Sequence, residues 1–129
     1  MTQELLALTL AALLQAVQFA VYSTLAQLQV GSKYAASSRD KPRQLTGIAG
    51  RSQRALNNHF EGLILFTVAV TVVTLAGQST TLTQDAAWLY LAARLVYIPA
   101  YLFGWNPWRS LIWFIGFLAT LTMLVAALI

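Results

Sequence analysis

The chain has 129 residues, 58% of them hydrophobic and 9% charged, and it has no cysteine. A soluble domain carries about 25% charged residues, so this composition excludes an ordinary water-soluble globule. The missing cysteine excludes a disulfide framework, a thiolate metal site and a cysteine nucleophile. The net charge of +4 does not indicate nucleic acid, because the basic residues gather at loops and helix ends, where membrane orientation signals belong.

Four apolar stretches follow one another along the chain. The first runs from Leu5 to Leu28 and is interrupted by uncharged Gln15 and Gln18. Acidic Glu4 precedes it in place of a basic n-region, and the run is too long for a signal-peptide core, so no cleavable signal is expected. A polar loop, Gln29 to Gly50, carries Lys33, Arg39, Lys41 and Arg43, and its last residues, Gly47-Ile48-Ala49-Gly50, read as a flexible approach to the next span. The second span is Arg51 to Leu75, and Gly77 to Gln84 is a polar turn. The third span is Asp85 to Phe103, and the connector Gly104-Trp105-Asn106-Pro107 leads to the fourth, Trp108 to Ile129. Pro107 suits a helix start. Each span is near the ~20 residues that cross a bilayer as helix, and inside the bilayer the backbone must satisfy its own hydrogen bonds. The expected architecture is an all-α membrane protein, a four-transmembrane-helix bundle forming one domain over residues 1–129.

The loops set the expected orientation. The basic loop Gln29–Gly50 and Arg109 beside the second connector lie on one side, whereas the turn Gly77–Gln84 and both tails carry no Lys or Arg. The positive-inside rule then puts the basic loop in the cytoplasm and both termini outside. Trp88, Trp105, Trp108 and Trp113 lie near span ends, where aromatic belts form. A reporter fused to the C-terminus should give an external signal; a cytoplasmic signal would overturn the orientation and the direction of ligand access with it.

Within these spans stand residues that a bilayer disfavours. A charged side chain at a membrane helix centre costs about 2.5–3.5 kcal/mol on insertion scales, so such residues face protein or a water-filled cavity and mark a site. Arg51, Arg54, Asn58 and Glu61 recur at i, i+3, i+7 and i+10, and Arg94, Tyr97 and Tyr101 recur at i, i+3 and i+7. Each set is one stripe of one helix. The antiparallel topology brings both stripes and Arg109 into the cytoplasmic half of the bundle. Several cations with hydroxyls and an amide suit a small anion bearing carboxylates, and Glu61 adds a place for an ammonium group. The charge pattern favours an amphoteric ligand such as a peptide or amino-acid derivative, with an apolar co-substrate arriving from the bilayer.

Plainer roles exist for each residue. Arg51 and Arg54 can anchor a helix end by snorkelling, Glu61 and Arg94 can form an interhelical ion pair, Tyr97 and Tyr101 can be belt aromatics, and Arg109 can be an interfacial anchor. His59, the single histidine, reads as a packing or interface residue rather than a general base, and it has no companion for a metal. No Gly-rich phosphate loop, paired catalytic carboxylates or Ser-His-Asp context is present.

Three motifs occur in order: Arg51-x-x-Arg54-Ala55-x-x-Asn58-x-x-Glu61, Arg94-x-x-Tyr97-x-x-x-Tyr101 and Pro107-Trp108-Arg109-Ser110. In these the chain resembles the membrane-associated proteins in eicosanoid and glutathione metabolism, which include microsomal glutathione transferases, leukotriene C synthase and microsomal prostaglandin E synthase. The likeness extends over essentially the whole chain. The connector before Arg109 is one residue shorter than in the prostaglandin synthase pattern, and His59 stands where several relatives have Asp. The resemblance implies a homotrimer that binds glutathione between neighbouring subunits. It implies that Arg51, Arg54, Asn58 and Glu61 grip glutathione from one subunit and Arg94, Tyr97 and Tyr101 from the next. It further implies that Arg109 stabilises the thiolate, that Ser110 lies near the thiol, and that Lys33 contacts a glutathione carboxylate. The expected function is a membrane-bound glutathione transferase or glutathione-dependent peroxidase acting on lipophilic electrophiles or hydroperoxides, in an inner membrane of bacterial type with its active site facing the cytoplasm. The alternative is a non-enzymatic protein of the same fold that binds lipid or another anionic ligand.

Overall fold

The computed structural model describes residues 1–129. The regular elements are all helical: α1 (Gln3–Val30), α2 (Ser32–Ala35), α3 (Gly47–Leu75), α4 (Thr81–Leu102) and α5 (Trp108–Leu128). Local chemistry sets these boundaries. At the start of α1 the Thr2 side chain accepts from the Leu5 amide at 3.2 Å, meeting one of the free N–H groups of the first turn. The helix stops at Gly31, whose φ of 89° lies in the region glycine adopts without penalty. At the start of α4, Thr80 and Thr83 form a reciprocal capping box, so the helix begins inside the stretch expected to be a turn.

The largest shift of boundary is in α3, which begins at Gly47 rather than Arg51. The segment Gly47–Gly50 is therefore the first turn of the helix and not a flexible approach. Gly50 makes this possible. A Cβ there would stand 2.8 Å from the Leu45 carbonyl oxygen, so only glycine lets the incoming chain tuck this close, and Leu45 is buried as a result. The short α2 is a further element that the polar composition of the first loop concealed.

α1, α3 and α5 are long and apolar enough to cross a membrane. α4 has the length but is diluted by Thr81, Thr83, Gln84, Asp85 and Arg94, and it does not reach the same apolarity. Contacts explain how it tolerates them. α1 packs on α3 and α4, α5 packs on α3 and α4, and α3 and α4 also touch each other, whereas α1 and α5 do not meet. The cross-section is thus a diamond whose short diagonal is the α3–α4 seam. Arg94 and Thr83 face inward on α4 and are buried.

The bundle divides along its length. The end nearest the α3–α4 turn is a dry core: Ala7 and Ala11 of α1, Phe66, Ala69, Val70 and Val73 of α3, Ala87 and Tyr90 of α4, and Ala119 and Met123 of α5. The many alanines let backbones approach closely, as membrane helix interfaces require. Phe66 and Tyr90 stack with ring centres 3.9 Å apart. Glu4 is fully buried at this end and accepts from the Thr83 hydroxyl at 2.8 Å, which ties the starts of α1 and α4 together. The Trp88 indole adds a bond to the Gln3 side chain at 3.1 Å. The opposite end is polar, and there the α3 and α4 stripes meet.

Candidate functional site

α3 and α4 run antiparallel, so residue numbers rise on one as they fall on the other, and the two polar stripes meet rung by rung. Arg94 Nη1 donates to Asn58 Oδ1 at 2.9 Å. Farther along the seam, Arg54 Nε donates to the Tyr101 hydroxyl at 3.1 Å. Arg51 Nη1 donates to the Leu102 carbonyl at 3.2 Å and closes the seam at the end of α4. The aromatic rings hold the cations as well. The Arg94 guanidinium lies 4.6 Å from the centre of the Tyr97 ring, and the Arg109 guanidinium lies 4.8 Å from the centre of the Tyr101 ring. Such contacts contribute about 0.5–2 kcal/mol, more when water is excluded. Tyr97 and Tyr101 are themselves neighbours, with centres 5.7 Å apart.

The electrostatics are lopsided. Arg54 and Arg109 converge on one ring and Arg94 on the next, and neutral groups supply the hydrogen bonds among them. Arg94 is only 3% exposed. Its Nη1 is paired, but Nε and Nη2 have no partner. A buried charge with unmet donors costs several kcal/mol unless something compensates it. Arg94 bonds Asn58 rather than Glu61, so the ion pair considered between Glu61 and Arg94 is not what fixes these helices.

Beside Arg94 lies a cavity of about 140 Å³ between α3, α4 and α5, lined by Glu61, Gly62, Tyr90, Arg94, Trp113 and Thr120 among others. Gly62 keeps it open: a Cβ there would sit 3.2 Å from the Tyr90 hydroxyl. The Tyr90 hydroxyl is buried without a partner, like the Arg94 donors. Glu61 lines the cavity from an exposed position and is its carboxylate. The lining therefore offers guanidinium and hydroxyl donors for an anion, a carboxylate for a cation, and an aromatic wall in which Trp113 stacks on Phe117 at 5.2 Å.

Most of the residues singled out in the sequence thus come together within one chain: Arg51, Arg54, Asn58, Arg94, Tyr97, Tyr101 and Arg109 in the seam, and Glu61 in the adjoining cavity. Ser110 and Lys33 do not join them. Ser110 is exposed on the first turn of α5, and Lys33 is exposed on α2 in the first loop. His59 is buried and faces α1, with Nδ1 2.6 Å from the Gln15 Oε1, which makes Gln15 its packing partner. Tyr90, Gly62 and the α5 wall join the site without having stood out in the sequence. The signals were present: Tyr90 precedes Arg94 by one turn and extends the same stripe, and Trp113, Gly116, Phe117 and Thr120 keep i, i+3, i+4, i+7 spacing, one face of a helix.

Curated proteins and solved structures yield no match to this chain. The model of the MAPEG family matches residues 5–129, essentially the whole sequence, and the chain belongs to that family of membrane proteins, which includes glutathione transferases.

Proposed function

We propose that the protein is a membrane-bound glutathione transferase or glutathione-dependent peroxidase acting on lipophilic electrophiles or hydroperoxides. The observation that carries this reading is Arg94, a buried cation with two unpartnered donors beside a cavity that also holds the Glu61 carboxylate. A fold tolerates such a residue when a ligand completes its hydrogen bonds. Glutathione, with two carboxylates, an ammonium group and a thiol, matches that donor set. Arg51, Arg54, Asn58, Arg94, Tyr97 and Tyr101 would hold its carboxylates and amides, and Glu61 its ammonium group, with two neighbouring subunits sharing these contacts. When bound it supplies a thiolate, the nucleophile or reductant. Arg109, braced against Tyr101, is the cation assigned to keep the thiol ionised, and Ser110 and Lys33 are assigned supporting contacts.

The assembly proposed is a homotrimer. A cavity of about 140 Å³ is below the ~300 Å³ at which small-molecule pockets usually begin, so one chain offers part of a site. One side of α3 is also left without a partner, with Phe60 at 54% and Ile64 at 55% exposure next to Glu61. A neighbouring subunit on that face would enclose the rest of the peptide. We further propose that α4 crosses the bilayer with α1, α3 and α5, its polar face turned inward, in a bacterial-type inner membrane with the seam on the cytoplasmic side.

Calorimetry on detergent-purified protein tests the binding step, followed by conjugation and peroxidase assays with generic electrophiles and hydroperoxides. Wild type should bind glutathione. Arg54→Ala and Asn58→Ala should each weaken binding about tenfold to a hundredfold, since each removes a hydrogen bond to a charged group worth about 1.5–3 kcal/mol. Wild type that fails to bind at millimolar glutathione would sink the proposal and favour a non-enzymatic anion-binding or lipid-binding role.

A further inference from the structure

The first loop is folded rather than loose, and it lies outside the seam. The Tyr34 hydroxyl donates to the Lys41 carbonyl at 2.6 Å and accepts from the Arg43 amide at 2.9 Å. The Arg43 guanidinium rests 4.8 Å from the centre of the Tyr34 ring and donates to the Val30 carbonyl at 3.2 Å. Arg39 grips the Ala35 carbonyl with Nε at 3.2 Å and Nη2 at 2.8 Å. These bonds fix the guanidinium groups in place, yet they end on neutral carbonyls, so the positive charge is not cancelled. Asp40, the loop's single carboxylate, accepts from the Ser38 hydroxyl at 2.9 Å.

Arg39 stands at one end of a groove of about 440 Å³ that runs along α1 and reaches Phe19 through Tyr22 and Ala26. A smaller cleft of about 100 Å³ shares Tyr22, Ala26 and Arg39 and adds Arg43. Phe19 is 58% exposed and sits roughly 16 Å of helix from the loop end of α1 at 1.5 Å rise per residue. α1 is apolar enough to span a bilayer, and a bilayer around it would place Phe19 in hydrocarbon and the loop end at the headgroups, so the groove would run from hydrocarbon past tyrosine and serine hydroxyls to fixed cations. That order of apolar, hydroxyl-rich and cationic surface follows the profile of one phospholipid molecule. Uncancelled charge at the top selects an anionic headgroup over a zwitterionic one.

We propose that this groove binds one anionic phospholipid, with an acyl chain along Phe19 and Ala26 and the phosphate at Arg39, backed by Arg43. It is a site separate from the α3–α4 seam, and it stands whether or not the protein uses glutathione. Its occupant would anchor the first loop against the bundle.

Native mass spectrometry of the full chain released from detergent tests it, with phosphatidylglycerol, phosphatidylcholine of the same chains, or glycerol phosphate added. Phosphatidylglycerol should be retained in preference to phosphatidylcholine. Arg39→Gln should lower that preference about fivefold, the effect of one basic residue at an anionic surface. Arg39→Lys, which keeps the charge, should retain most of the preference. Ala26→Trp fills the groove without changing charge and should lower retention of phosphatidylglycerol as well. Equal retention of the two lipids would overturn the proposal. So would loss in Arg39→Gln with none in Ala26→Trp, because that pattern belongs to diffuse attraction by a basic loop. Displacement of the lipid by glycerol phosphate would mean a soluble phosphate site, and displacement by millimolar glutathione would assign the loop to the glutathione site; either result also overturns it.

Discussion

Replacing Arg94 with methionine should reduce glutathione affinity at least a hundredfold while leaving the bundle folded. Two donors of Arg94, Nε and Nη2, are buried and unpartnered. If both bond a ligand carboxylate, their loss removes two charge-assisted hydrogen bonds of about 1.5–3 kcal/mol each, and every 1.4 kcal/mol is about tenfold. Stability should respond differently. Removing a poorly compensated buried charge relieves a desolvation cost, whereas the Asn58 oxygen loses the bond it accepts at 2.9 Å, a loss of about 1–3 kcal/mol for a buried acceptor. These effects oppose each other, so the melting temperature in detergent should move little. Arg94→Lys keeps the charge but not the planar fork and should fall between the two. Calorimetry and thermal unfolding on the same preparations give both quantities. A methionine variant that binds glutathione like wild type would make Arg94 a packing residue. A variant that unfolds would be resolved by Arg94→Lys, whose binding should still be weakened in a folded bundle.

The parts of this molecule that were legible in the sequence are those with a strong period. Arg51, Arg54 and Asn58 on one helix and Arg94, Tyr97 and Tyr101 on another kept helical spacing in an apolar background, and the seam joins those stripes. Charge is costly in hydrocarbon, so a stripe of this kind has to face protein or water, and pairing the two helices meets that demand. The start of α3 was not legible because the glycines that usually signal a loop are used here for close approach: Gly50 lies against the Leu45 carbonyl, a contact that only the folded chain reveals. The start of α4 was hidden for a related reason. Threonines in a polar stretch suggest a turn, but Thr80 and Thr83 cap a helix. The cavity was harder still. It depends on Gly62 having no side chain opposite Tyr90 and on a face of α5 whose residues are all common in lipid-facing helices. His59 reads as a packing residue in the sequence, and its partner Gln15 shows there only as an uncharged polar residue in an apolar span.

Arg109→Leu should lower turnover by about a hundredfold to a thousandfold, the usual loss when one preorganised stabiliser of developing charge is removed, while glutathione affinity changes less than tenfold. Arg109 does not belong to the Arg94–Asn58 rung. It stands at the start of α5 with its guanidinium 4.8 Å from the centre of the Tyr101 ring, and Tyr101 in turn accepts from Arg54 at 3.1 Å. This bracing holds a cation at the edge of the seam without spending its charge on a carboxylate. A positive group beside a thiol favours the thiolate and lowers a pKa that starts near ~8.5. The role assigned to Arg109 therefore has a spectroscopic consequence separate from affinity. The ultraviolet absorbance of the thiolate, followed against pH at saturating glutathione, should titrate well below the free thiol in wild type. In Arg109→Leu the titration should move upward, because the group that lowered it is gone. Tyr101→Phe offers the complementary measurement: it keeps the ring under Arg109 but removes the hydroxyl held by Arg54, so it should weaken binding more than it shifts the titration. An unchanged titration with intact turnover in Arg109→Leu would leave Arg109 as an interfacial anchor and move the search for a thiol activator to Tyr97, Tyr101 or Arg51.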